Sequence, residues 1–129
     1  MIQVDQIVKS FDGTQILKGI STVFEKGKTN LIIGQSGSGK TVFLKCLLGL
    51  FQTDSGKIFF ENKAIDEMTT NERSVLRQEI GMVFQGSALF DSMTVEENIM
   101  FPMQMFTNKQ DDEIRDRANE VIKRVNLVD

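Results

Sequence analysis

The octapeptide Gly34-Gln35-Ser36-Gly37-Ser38-Gly39-Lys40-Thr41 fits the pattern G-x-x-x-x-G-K-[ST]. Before it stands a short apolar run, Leu31-Ile32-Ile33. After it, Thr41 to Leu50 carries Val42, Leu44, Cys46, Leu47, Leu48 and Leu50, apolar nearly all round. The run reads as a strand buried on both faces of an α/β sheet, the later segment as a buried helix. In a strand, glycine-rich turn and helix arranged this way, glycines let the backbone curl until successive N–H groups face one concavity. The helix N-terminus adds the positive end of its dipole. Lys40 is placed to reach the β- and γ-phosphates of a nucleotide, and the Thr41 hydroxyl is a hard oxygen ligand suited to Mg²⁺. Residues Gly34, Gln35, Ser36, Gly37, Ser38, Gly39, Lys40 and Thr41 are therefore candidates for holding a nucleoside triphosphate, ATP with Mg²⁺ first among them.

The rest of the composition sets bounds on this reading. The chain has 129 residues, the size of one domain, and its 40% hydrophobic and 26% charged content suit a globular protein. A net charge of −3 lacks the basic footprint of a nucleic-acid binder, so no nucleic-acid partner is expected. The single cysteine, Cys46, excludes an internal disulfide and fits a reducing compartment. No basic region followed by an apolar run opens the chain, and no apolar stretch reaches the roughly 18 residues of a membrane span. The expected location is the cytoplasm, or the cytoplasmic face of a membrane through a partner.

Outward from the octapeptide, Ile2 to Lys9 and Gln15 to Phe24 read as strands around a turn at Asp12-Gly13-Thr14. Lys57 to Phe60 is a further short strand, and Ile80 to Phe84 another, ending at Gln85. Thr69 with Glu72, and Thr94 with Glu97, have capping-box spacing. They open helices running to about Gln78 and to about Phe101, the second stopping before Pro102. In the last segment Ile114, Ala118, Val121, Ile122 and Val125 share one helical face, with acids at its start and Lys123 and Arg124 at its end, as the helix dipole favours.

With these pieces placed, the chain resembles the ATP-binding subunits of ABC transporters, collinear with the family's N-terminal half. Phe11 sits where the family places an aromatic that stacks on adenine. Ile16 to Ser21 is similar to the family's second strand, and Asp54-Ser55-Gly56-Lys57-Ile58 resembles the start of its next. Leu76 to Gln85 looks like the strand leading into the Q-loop, and Thr94-Val95-Glu96-Glu97-Asn98-Ile99 resembles a family helix start. The resemblance implies an α/β fold: a P-loop NTPase, the ABC-type nucleotide-binding domain, represented by its N-terminal half. That half would comprise an antiparallel β part, the P-loop strand and helix, and the start of a helical subdomain. Residues 1–90 would belong to the nucleotide-binding core and 91–129 would begin the helical subdomain. It further implies catalytic roles for Lys40 and Gln85, with Gln85 contacting Mg²⁺ or the attacking water, and base binding by Phe11. Implied partners are a transmembrane permease docking near Gln85 to Phe106 and a second ATPase domain in a homodimer, placing the protein peripherally on the inner face of the cell membrane. The stretch Gly86 to Val95 resembles the phospholipid-trafficking (Mla-type) subfamily.

Met93, Met100, Met103 and Met105 cluster in sequence with Phe90, Phe101 and Phe106. They suit an adaptable docking groove, or the helical subdomain's own core, which is expected to claim most of them. The family's signature motif, Asp-Glu strand and switch histidine are not present in these residues. The expectation is an N-terminal part that binds ATP with negligible hydrolysis, and that exposes sheet edge and apolar surface and self-associates, swaps elements or is only marginally stable. Three other readings are a GTPase, a small-molecule kinase, and a nucleotide-binding interaction module. No D-x-x-G is found, Asn62-Lys63-Ala64-Ile65-Asp66 places its aspartate one residue late, and a β-rich stretch precedes the octapeptide where such kinases open with it. Within the transporter reading, amino acids and lipoproteins are the alternative cargo.

Overall fold

The computed structural model describes residues 1–86 and 88–127. Ser87, within the Gly86 to Val95 stretch, lies outside the described residues, as do Val128 and Asp129. The chain divides into two compact units, Met1–Ile80 and Gly81–Asp129. No helix of the described residues is long and apolar enough to cross a membrane.

The first unit is an antiparallel sheet with a helix on one face. Strands β1 (Ile2–Phe11), β2 (Thr14–Phe24), β3 (Ser55–Phe60) and β4 (Lys63–Ala64) lie in the order β2-β1-β3-β4. Strict alternation would put Val4 and Ile7 on opposite faces, yet both are buried. The register of β1 on β2 shifts between them, at Gln6, whose φ is 47°. A residue inserted there as a bulge returns Ile7 to the core face. Ser21 holds the bulge, its Oγ accepting from both the backbone N and the Nε2 of Gln6 at 2.9 Å.

Helix α1 (Lys40–Leu47) turns Phe43, Cys46 and Leu47 inward against Val4, Ile7, Leu17, Ile58, Phe60 and Ile65. Each large side chain fully buried this way contributes about 1.5–3 kcal/mol. Burial also pushes the Cys46 thiol pKa up. The helix is less enclosed than its apolar sequence suggests, since Leu44 and Leu50 are exposed. It stops at Gly49, whose N–H donates to the Cys46 carbonyl. Helix α2 (Thr70–Glu79) buries no residue fully; its arginines tie it down instead. Arg77 donates to the carbonyls of Leu48 (3.3 Å) and Gly49 (3.0 Å) at the end of α1, and Arg73 to that of Ile65 (3.1 Å).

The second unit pairs α3 (Val95–Phe106) with α4 (Asp111–Arg124) through Met100, Ile114 and Ala118, flanked by Ile99 and Met103. Met100 thus joins the unit's own core, while Met105 and Phe106 stay exposed. The Asn98 carboxamide pins the loop ahead of α3, accepting from Phe90 N (2.8 Å) and donating to the carbonyls of Phe90, Met93 and Thr94.

Both capping boxes form as expected, but four expectations fail. Leu31 to Ile33 is not a strand, and Leu31 and Ile33 are 82% and 85% exposed. Ile80 to Phe84 is not a strand either, and Val83 is 97% exposed. Each run has the apolar character of a buried strand, but no described strand supplies the ladder of hydrogen bonds that strand structure needs. Helix α3 runs through Pro102 to Phe106. The proline removes one backbone donor at a cost of about 3 kcal/mol, which packing of Met100 and Met103 around α4 offsets. Val125, expected on the buried face of the last helix, lies beyond its end and is exposed.

Two tests follow from this packing. Gly56, at φ 83°, presses against the bulge, and a Cβ there would lie 2.4 Å from the Gln6 carbonyl oxygen. Gly56→Ala is expected to lower stability by about 1–3 kcal/mol or more, seen as a fall in the urea midpoint; an unchanged midpoint refutes the bulge's role. The Glu72 carboxylate accepts from Lys63 and from the Thr69 backbone, which hold its pKa at about 2, below the ordinary 4.5. Because the folded pKa is depressed, the stabilisation is complete above pH 4.5 and fades as pH falls toward 2. Glu72→Gln should flatten that part of the stability–pH curve, and a curve superimposable on wild type rejects this assignment.

Candidate phosphate-binding site

Residues Gly34–Thr41 form one turn that closes onto the N-terminus of α1. Ser38 N donates to the Gln35 carbonyl at 3.1 Å. The turn is tight enough that a Cβ on Gly34 would sit 2.4 Å from Ser38 Oγ. Gly39, at φ 98°, is the residue that caps α1, and a Cβ there would meet Ile16 Cγ2 at 2.8 Å. Only glycine combines that left-handed backbone with so close an approach of β2.

Two sources of positive potential converge here. The Gly39 cap provides no side-chain acceptor, and no acid stands in the first turn of α1, so the first N–H groups of the helix carry the uncompensated positive end of its dipole. The Lys40 ammonium lies across the turn, donating to the carbonyls of Gly34 (2.6 Å) and Gln35 (2.7 Å). The Thr41 side chain is exposed beside them. These donors, with no acid in the first turn of α1, fit an anion with several oxygens. A groove of about 410 Å³ opens on it, lined by Leu17, Phe24, Ile32, Ser38, Lys40 and Phe43 among others. A second cavity of about 270 Å³, near Cys46, Phe51 and Arg73, contains none of the octapeptide.

Among the described residues no three His, Cys, Asp or Glu side chains cluster as a metal cage. Mg²⁺ seldom uses such a cage; one or two protein oxygens complete a shell made of phosphate and water. The exposed Thr41 hydroxyl suits that arrangement.

The other expected residues lie elsewhere. Phe11 ends β1, on the hairpin whose second strand packs on Gly39. Phe11 is 38% exposed, and its ring meets Phe51 edge-on, centroids 5.4 Å apart. Gln85 belongs to the second unit, exposed in the bend Gln85–Gly86, and no strand ends on it. Lys9 and Phe51, which contact Phe11, belong to no motif, and Asp54, which contacts Lys9, opens the stretch Asp54 to Ile58. Only the spacing of Lys9 and Phe11 on one strand, two residues apart, hints at the first of them.

The chain is similar to known proteins. A family model described as ABC transporter matches residues 17–129. The probable ribonucleotide transport ATP-binding protein mkl of Mycobacterium bovis is 36% identical over 126 residues, covering 98% of this chain and 35% of that protein. The arginine transport ATP-binding protein ArtM of Bacillus subtilis is 38% identical over 127 residues, covering 98% and 52% respectively. A dimeric post-hydrolysis structure of the ATP-binding cassette MJ0796, bound to ADP and Pi, matches with a TM-score of 0.84 at 26% identity, covering 95% of this chain and 56% of that one. The chain thus spans about a third to a half of the length of these curated relatives. It belongs to the ABC transporter family, and its α/β fold is that of the family's P-loop nucleotide-binding domain.

Proposed function

We propose that this chain supplies the nucleotide-binding part of a transport-coupled ATPase, whose binding and hydrolysis of ATP drive a substrate across a membrane. The observation that carries the reading is the closed turn Gly34–Thr41, with Lys40 spanning two loop carbonyls at the uncapped start of α1. Backbone N–H groups of the turn and the Lys40 ammonium bind the phosphates, and Thr41 contributes its hydroxyl to Mg²⁺. Phe11 takes the base. Gln85 completes the Mg²⁺ and water contacts and relays to the transporter's membrane subunit. When bound, Mg²⁺ neutralises phosphate charge; the residues of this chain orient the nucleotide and hold it in place. Hydrolysis also needs a positioned water and further charge stabilisation, so the chain alone binds nucleotide with negligible turnover.

In this reading residues 1–90 serve the nucleotide core and 91–129 begin the helical subdomain. A permease docks between Gln85 and Phe106, at the inner face of the membrane, and two ATPase domains pair. The dimeric form of MJ0796 supports the pairing. The cargo we infer is phospholipid, on the resemblance of Gly86 to Val95 to the Mla-type subfamily. The relatives' names mention ribonucleotide and arginine, which makes those the competing cargoes. In vesicles holding the whole transporter, phospholipid should stimulate phosphate release while arginine and ribonucleotides do not; stimulation by either of these instead rejects the lipid assignment.

Removing the ammonium tests the site directly. Lys40→Ala should weaken ATP–Mg²⁺ binding about 10- to 100-fold, the loss expected for charge-assisted hydrogen bonds, measured by titration calorimetry. Unchanged affinity sinks the proposal. Lys40-dependent phosphate release by this chain alone would overturn the expectation of negligible turnover.

A further inference from the structure

The Phe11 ring does not stand alone at the end of β1. The Lys9 ammonium lies 5.1 Å from its centroid. Phe51 meets it edge-on at an interplanar angle of 69°. The Lys45 ammonium in turn lies 5.2 Å from the Phe51 centroid. Lys45 is part of α1, the helix whose first turn closes the phosphate loop. The order Lys9, Phe11, Phe51, Lys45 is therefore a continuous chain of cation–ring and ring–ring contacts running from the hairpin tip to the phosphate-loop helix.

Asp54 locks the outer end of this chain. Its Oδ1 lies 3.4 Å from Lys9 Nζ, and its Oδ2 accepts from Ser10 N at 2.6 Å. Its own N–H donates to the Val8 carbonyl at 2.8 Å. Lys9 is only 17% exposed, so its ammonium is confined over the ring rather than free in solvent. The arrangement has a chemical logic. Phenylalanine has no polar handle, so the groups packed against its ring set its attitude. A cation held near one aromatic ring is attracted by its negative face and fixes that ring, leaving its exposed part for a planar ligand.

We propose that Lys9 and Phe51 are positioning residues for the base of the bound nucleotide: they hold the Phe11 ring at a fixed place relative to the phosphate loop. This rests on the reading of Phe11 as the base platform. Lys9 and Phe51 touch neither phosphate nor base; they act through Phe11.

Calorimetry on the full chain separates the two ideas. The ligands are ATP and inorganic tripolyphosphate, both with Mg²⁺, and the variants are Phe11→Ala, Lys9→Met, Lys9→Arg and Phe51→Leu. Wild type should bind ATP more tightly than tripolyphosphate, and Phe11→Ala should erase that difference. Lys9→Met should weaken ATP roughly two- to fivefold, the fold-change of a partly exposed cation–ring contact, while leaving tripolyphosphate unchanged. Lys9→Arg should restore the wild-type ratio. If Lys9→Met weakens both ligands equally, or neither, the positioning role is overturned while Phe11 keeps its own. If wild type shows no preference for ATP, or Phe11→Ala keeps the preference, the base platform falls and the proposal with it. Should circular dichroism show Lys9→Met unfolded, Phe51→Leu decides: loss confined to ATP supports the proposal, and equal loss for both ligands overturns it.

Discussion

Phe43, Cys46 and Leu47 seat α1 against Val4, Ile7, Leu17, Ile58 and Phe60 of the sheet, and the geometry of the first unit follows from that contact. An eight-residue helix is too short to persist in water unaided. Burial on the sheet holds it, and its axis then sets where its N-terminus points. The approach of Gly39 to Ile16 and Leu17 is the same packing seen from the loop side. The bulge at Gln6 is a precondition, since without it Val4 and Ile7 could not both reach the helix. An electrostatic feature, the open positive end of α1, is thus placed by apolar contacts made along the other side of the helix.

Polar groups do a different job. Helix α2 is joined to α1 by Arg77 on the carbonyls of Leu48 and Gly49, which a helix end leaves without partners. These bonds specify where α2 lies more than they stabilise the unit. The surface ion pairs, such as Arg117 with Glu120 and Arg115 with Glu96, are exposed and screened by solvent, and contribute little. Asn98 is the exception in the second unit, where one carboxamide satisfies four backbone groups of the preceding loop and holds it against the start of α3.

What could be read from residues alone divides along a physical line. Local rules were legible: the turn at Asp12-Gly13, both capping boxes, the charge order of α4 and the glycine pattern of the phosphate loop all depend on neighbours a few positions away. Features set by distant partners were not. The apolar runs at Leu31 and Ile80 announce a wish for burial without naming the strand that would grant it. Pro102 argues locally for a helix end, and packing by Met100 and Met103 decides otherwise. The bulge at Gln6 has no residue signature, because its cause is the meeting of Gly56 and Ser21 from two other strands. Around the site, the octapeptide was plain, whereas the contacts of Lys9, Phe51 and Asp54 join β1 to the connection between α1 and β3, and only the two-residue step from Lys9 to Phe11 hints at them.

Cys46 carries a consequence beyond packing. It is the only thiol in the chain, it is 1% exposed, and burial disfavours its reactive thiolate. A thiol reagent can reach it only when the packing around it opens. The rate at which Cys46 is labelled is therefore a clock for that opening, read at a single atom beneath the helix that carries the phosphate loop. Any ligand that fastens the loop to the helix should slow the clock, so that site occupancy becomes visible from the opposite side of α1 without touching the site itself.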